Sequence, residues 1–106
     1  MNPRPGEVWL ADLGLAAKTR PVVIVSRYDA HAPRALVIYV PLTSENRGSE
    51  YELQLPRQPL MRMDCVANVQ GIGSLPLRRL ERKIGELPKD VFSRIKRAIA
   101  FALEID

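Results

Sequence analysis

Two short runs of β-branched residues constrain this chain more than any other feature. Arg20-Pro21 opens Val22-Val23-Ile24-Val25-Ser26, and Pro41-Leu42-Thr43-Ser44 closes the apolar run over 36–40. Both read as strands, because β-branched side chains suit a pleated surface and turn-forming residues bound each run. An antiparallel hairpin folded about His31-Ala32 sets Val22 opposite Pro41 and Ile24 opposite Tyr39. The same register carries Arg20 to Thr43, with Cβ atoms ~5 Å apart. A guanidinium and a hydroxyl then share the open end of the hairpin.

The rest of the chain has the same punctuation. Residues 6–12 read as a first strand, and 13–19 as a short loop carrying Lys18. The polar tract over 44–50 is expected to be exposed and mobile. Alternation over 51–55 predicts a fourth strand, the two prolines within 56–63 a connection, 64–70 a fifth strand and 79–84 a short sixth. After Pro88 the period changes: Val91, Phe92, Ile95, Ala98, Ile99, Ala102 and Leu103 recur every three or four residues, an amphipathic helix. Pro88 suits its first turn, Asp90 complements the amino-terminal dipole, and Arg94, Lys96 and Arg97 face water. The expected fold is mainly β with a C-terminal helix, a small and strongly bent antiparallel sheet close to a barrel. Val8 and Leu10 lie on one face of the first strand, Trp9, Ala11 and Leu13 on the other. A surface strand of a small monomer should show one polar face, so either the helix covers the second apolar face or another subunit does, and the pattern favours a homodimer.

Composition bounds the chemistry. A chain of 106 residues with 46% hydrophobic and 26% charged content folds as one domain, here 1–106. It lacks the ~20-residue apolar stretch of a membrane span, and its start lacks the apolar segment of a signal peptide. A cytoplasmic protein with no membrane partner is the expectation. The single cysteine, Cys65, forms no internal disulfide, and with the single histidine, His31, cannot complete a metal site. No metal and no cofactor are expected. The net charge of +4 and a pI near 9.6 suit an anionic partner, nucleic acid or acidic peptide.

The chain carries no phosphate-binding glycine loop, no Gly-x-Ser-x-Gly elbow and no His-Glu-x-x-His helix. His31 reads as a solvated loop histidine and Cys65 as a buried small residue. Arg78, Arg79, Arg82 and Lys83 read as an exposed strand face. What remains is Arg20 with Thr43, beside Ser44 and Lys18. Spacing alone leaves two readings: exposed strand-end residues, or a grip on a phosphodiester. In the second, the guanidinium fork takes two phosphate oxygens and a hydroxyl adds a third contact.

The ordered pattern Pro5-Gly6-Glu7-Val8-Trp9, Asp12-Leu13-Gly14, Arg20-Pro21-Val22-Val23-Ile24-Val25-Ser26 and Val40-Pro41-Leu42-Thr43-Ser44 resembles the MazF/PemK toxins of bacterial toxin–antitoxin pairs. Further matches are residues 66–70, with Gln70 at the family's strand glutamine, and Arg79-Leu80 with Ile84-Gly85-Glu86-Leu87 leading into the helix. The resemblance implies an SH3-like barrel, a homodimer and a metal-independent endoribonuclease that cuts single-stranded mRNA at short sequences. It also implies an antitoxin partner whose flexible acidic C-terminal part blocks the RNA groove. The family's catalytic arginine and threonine match Arg20 and Thr43, with Lys18, Ser44 and Gln70 as expected substrate-binding residues.

The implied cleavage is attack of the ribose 2′-hydroxyl on the adjacent phosphorus, which spares DNA. Arg20 stays protonated at ordinary pH, so it stabilises charge and does not act as the base. The chain departs from the family in two places. Its first loop, 13–19, is shorter than in many members, and Val69 replaces the acidic residue that some place before the glutamine. A carboxylate base at that position does not carry over. The alternative reading is a non-catalytic barrel that binds RNA or a protein target, as gyrase-poisoning toxins of similar fold do, or a degenerate toxin.

Overall fold

The structure, a computed structural model, describes residues 1–14, 19–57 and 64–105. Its strands are β1 (Glu7–Asp12), β2 (Thr19–Ile24), β3 (Leu36–Thr43), β4 (Glu52–Gln54), β5 (Val66–Asn68), β6 (Gly73–Pro76) and β7 (Leu80–Glu86). One helix follows, α1 (Lys89–Leu103). Every pairing is antiparallel, in the order β4-β5-β3-β2-β1-β7, with β6 on the edge of β3 away from β2. The expected connection over 56–63 and the loop over 13–19 lie partly outside the described residues.

The hairpin forms in the expected register: Val22 pairs with Pro41, Val23 with Val40 and Ile24 with Tyr39. Along its other edge β3 changes partner. Leu36 to Tyr39 pair with β6, while Leu42 and Thr43 pair with β5. The register between β1 and β7 slips twice, between Val8 and Trp9 and between Leu10 and Ala11, and such bulges bend a sheet.

That bending corrects one expectation. Val8, Val23, Val40 and Leu42 pack with Val91 and Ile95 of α1 on one face. On the other, Trp9, Ala11, Val22 and Ile24 pack with Val37, Leu75 of β6 and Leu80 of β7. The second apolar face of β1 is therefore covered within the chain, by the curled sheet, and does not itself require another subunit. Two strand assignments also change. The fifth strand ends at Asn68, whose side chain accepts the Gln70 amide N–H at 3.1 Å and closes a 3₁₀ turn, Val69–Gly71. β6 was not expected, because Gly-Ser-Leu-Pro has little strand propensity of its own.

The helix follows its pattern. Val91 and Ile95 are buried, Asp90 lies in the first turn, and Arg94, Lys96 and Arg97 are exposed. It ends on Glu104 in the left-handed conformation (φ 54°), where the Ile105 N–H bonds to the Ala100 carbonyl at 2.8 Å.

Candidate active site

Arg20 and Thr43 stand at the same end of β2 and β3, each two residues past the last rung, Val22 with Pro41. They are not a rung themselves. On its outer edge β2 pairs with β1, with Arg20 opposite Ala11, and on its outer edge β3 pairs with β5, with Thr43 opposite Val66. The two residues stand side by side at the end of the hairpin where its ladder stops. Alternation puts both on the face that carries Val22 and Pro41. Arg20 is exposed and, among the described residues, its side chain makes no ion pair or hydrogen bond, which leaves its donors available to a ligand. Thr43 is half-buried, and its Oγ1 accepts the Glu45 N–H at 3.2 Å, so the hydroxyl proton remains available to a ligand.

The other expected residues divide. Ser44 is exposed directly after Thr43, at the start of the polar tract. Gln70 is exposed on the 3₁₀ turn and not on a strand. The turn lies against the hairpin: a Cβ built on Gly71 would stand 2.7 Å from Pro41 Cγ, so only glycine lets it approach this closely. Gln70 therefore belongs to a segment seated on the residue two before Thr43. Val69, at the position where some family members carry an acid, is buried among Val40, Leu42 and Ala67. Lys18 lies outside the described residues.

The polar tract is exposed, as expected, and it is tied to β4, chiefly through Glu52. Both oxygens of Glu52 accept hydrogen bonds, from the Ser49 N–H and hydroxyl and from the Arg47 N–H at 2.8–3.1 Å. These donors, the Ser49 amide foremost, hold the Glu52 carboxyl below its ordinary value. His31 sits in the loop at the far end of the hairpin, exposed, with its N–H donated to Asp29 Oδ1. Burial pushes the Cys65 thiol up, and Asp64 adds to the effect, so Cys65 is a poor nucleophile.

Two arrangements near β1 were not foreseen. Glu7 is buried: its carboxylate accepts the Trp9 indole N–H at 3.0 Å and the Arg4 N–H at 2.9 Å, and pairs with Lys83 at 3.1 Å. A carboxylate two residues before the only tryptophan was the available signal. At the other end of β1, Gly14 has φ +76° and its N–H donates to Asp12 Oδ1. A Cβ there would stand 2.9 Å from Arg79 Nη1. Arg79 thus lies over bare backbone at the same end of the sheet as Arg20.

Residues 4–103 match the family model described as the PemK-like, MazF-like toxin of type II toxin-antitoxin system. The chain belongs to the PemK/MazF toxin family. Endoribonuclease MazF9 of Mycobacterium tuberculosis is 30% identical over 115 residues, spanning 96% of this chain and 97% of that protein. Probable endoribonuclease MazF2 of the same species is 33% identical over 85 residues, spanning 79% of this chain and 81% of the relative. Among solved structures, an endoribonuclease in complex with its cognate antitoxin, from a mycobacterial species, superposes with a TM-score of 0.83 at 30% identity. It covers 98% of this chain and 97% of its own. The bent sheet with one C-terminal helix is thus the fold of MazF toxins.

Proposed function

We propose that this chain is a toxin endoribonuclease that cuts single-stranded mRNA at specific short sequences. The observation that carries the reading is the end of the β2–β3 hairpin, where an exposed arginine, without a side-chain partner among the described residues, and a threonine hydroxyl stand on adjoining strands. In the reaction the ribose 2′-oxygen attacks phosphorus and loses its proton to solvent. The bond to the 5′-oxygen breaks, and that oxygen takes up a proton. The products are a 2′,3′-cyclic phosphate and a 5′-hydroxyl, and no step calls for a metal ion or cofactor. Arg20 stabilises the charge that grows on the phosphorane oxygens. Thr43 holds a phosphate oxygen or the attacking hydroxyl, and Ser44, Gln70 and Lys18 contact the flanking nucleotides. A barrel that only binds its target has no need for this pair at one end of the hairpin.

The relative solved with its cognate antitoxin supports an antitoxin as the protein partner, and the net charge of +4 suits an acidic inhibitory segment. A homodimer draws support from exposed Leu36, Ile38, Phe101, Leu103 and Ile105. Ile38 and Ile105 border a groove of about 370 Å³ that Val25, Ile72 and Ile99 also line. A cytoplasmic location fits an mRNA substrate; among the described residues, no helix is long and apolar enough to cross a membrane.

The test is cleavage of a long single-stranded RNA in EDTA, with end-group analysis of the fragments. Cyclic phosphate ends are expected, and Arg20→Ala should fold normally and cut ~10² to 10³-fold more slowly. Intact RNA after hours with the unaltered protein, or equal cutting by the variant, sinks the assignment.

A further inference from the structure

We propose that Glu81 is a positioning residue for Arg20: its carboxylate clasps Thr19 across β1 and fixes the strand end that carries the guanidinium. The inference rests on the endoribonuclease reading and adds a residue that acts through Arg20 without touching RNA.

The need for such a hold comes from the ladders. β2 pairs with β3 only as far as Val22, opposite Pro41, so at Arg20 the β3 rungs have ended. On its other edge the β1 ladder runs on through Arg20, opposite Ala11, and ends at Thr19, opposite Asp12. Arg20 thus stands on a strand end held from one side, and segments with few partners open most readily.

Glu81 supplies a second hold. The Thr19 hydroxyl donates to Glu81 Oε2 at 2.8 Å, joining residues 62 apart in sequence. β7 and β2 flank β1 on opposite sides, two strand spacings or ~10 Å apart, so the bond passes over β1. A bulge aims the carboxylate. Leu10 pairs with Arg82 and Ala11 with Leu80, which leaves Glu81 as the extra residue between them. Bulges re-aim side chains in this way beside active sites.

The faces agree with a positioning role. Thr19 and Arg20 are successive residues of β2, so their side chains leave the strand on opposite faces. Glu81 therefore grips β2 from behind and leaves the guanidinium to the substrate. Among the described residues Glu81 forms no ion pair, although Arg79 and Arg82 neighbour it in sequence. Asp12, the carboxylate that pairs with Thr19 in the ladder, accepts the Gly14 N–H at 2.9 Å instead.

The experiment follows RNA cleavage and the backbone order of Arg20 in the full chain. Glu81→Ala and Thr19→Val should each lower kcat about tenfold with KM within about twofold, because the charge that Arg20 meets develops only in the transition state. Glu81→Gln keeps an acceptor and Thr19→Ser keeps the donor, so each should retain most of the rate. The double variant Glu81→Ala/Thr19→Val should cut no more slowly than either single one. In an Arg20→Ala background, Glu81→Ala should change the residual cutting less than about twofold, the mark of a residue that acts through Arg20. By nitrogen-15 relaxation the Arg20 amide should lose order in Glu81→Ala and keep it in Glu81→Gln. Full activity in Glu81→Ala, an equal further loss without Arg20, or an unchanged order of the Arg20 amide overturns the assignment. If the unaltered protein leaves RNA intact, the endoribonuclease reading falls instead, and the Arg20 amide still decides whether Glu81 holds the strand end.

Discussion

The Trp9 indole N–H and the Glu7 carboxylate, two residues apart on β1, meet at 3.0 Å inside the fold. Burial alone would raise the Glu7 pKa. The Trp9 indole, the Arg4 amide and Lys83 outweigh it and hold the carboxyl below its ordinary value. A depressed folded-state pKa contributes stability that is present above the unfolded value and lost as pH falls through the folded one. Unfolding followed by Trp9 fluorescence should therefore show stability falling below the ordinary carboxylate range. Glu7→Gln should flatten that acid limb, and Glu7→Ala should cost ~1–3 kcal/mol at neutral pH by leaving two donors unmet. An acid limb identical in Glu7→Gln and parent would show that another group controls it.

Thr43→Val keeps the shape of the side chain and removes its hydroxyl. Loss of one hydrogen bond to a charged phosphate should slow RNA cleavage ~10- to 100-fold, and Thr43→Ser should restore most of it. Stability should hardly change, because the Glu45 N–H that loses its acceptor is exposed. Equal rates for Thr43→Val and the parent would remove Thr43 from the site.

Gly71 allows the 3₁₀ turn to touch Pro41. Gly71→Ala forces the added methyl against Pro41 Cγ and moves the turn that bears Gln70. The expected result is a loss of ~1–3 kcal/mol in chemical denaturation, with a fall in cleavage larger than that of Gln70→Ala. A variant as stable and active as the parent would mean that the turn does not position the site.

Glu104 adopts φ 54° without being a glycine. The left-handed conformation costs a side-chain-bearing residue ~1–2 kcal/mol. Glu104→Gly should recover about 1 kcal/mol, a rise in Tm of about 4–8 °C, and leave the cleavage rate unchanged. A lowered Tm would argue against the left-handed cap.

The sequence was legible where local signals were strong. The β2–β3 register followed from two β-branched runs with proline at their ends, and α1 from its unbroken apolar period. β6 was hidden because its stability is borrowed from β3: Leu75 gains its burial through a pairing far away in sequence. Glu7 was unreadable as a core residue because a carboxylate belongs outside by default, and only its three partners make burial tolerable.

The divided edge of β3 decides how a partner peptide can arrive. With β2 on one side, and β6, the 3₁₀ turn and β5 along the other, the central strand is flanked on both edges over Tyr39 to Pro41. An inhibitor that binds by lending a strand finds free edges at β4 and β7, the two ends of the sheet, and along the outer side of β6. β4 spans only three residues, and β7 presents Glu81, Arg82 and Lys83 in succession, a charged border of the kind that keeps sheet edges from joining indiscriminately. An inhibitor that engages this toxin at the end of the hairpin beside Arg20 and Thr43 thus meets side chains, while one that extends the sheet meets short or charged borders.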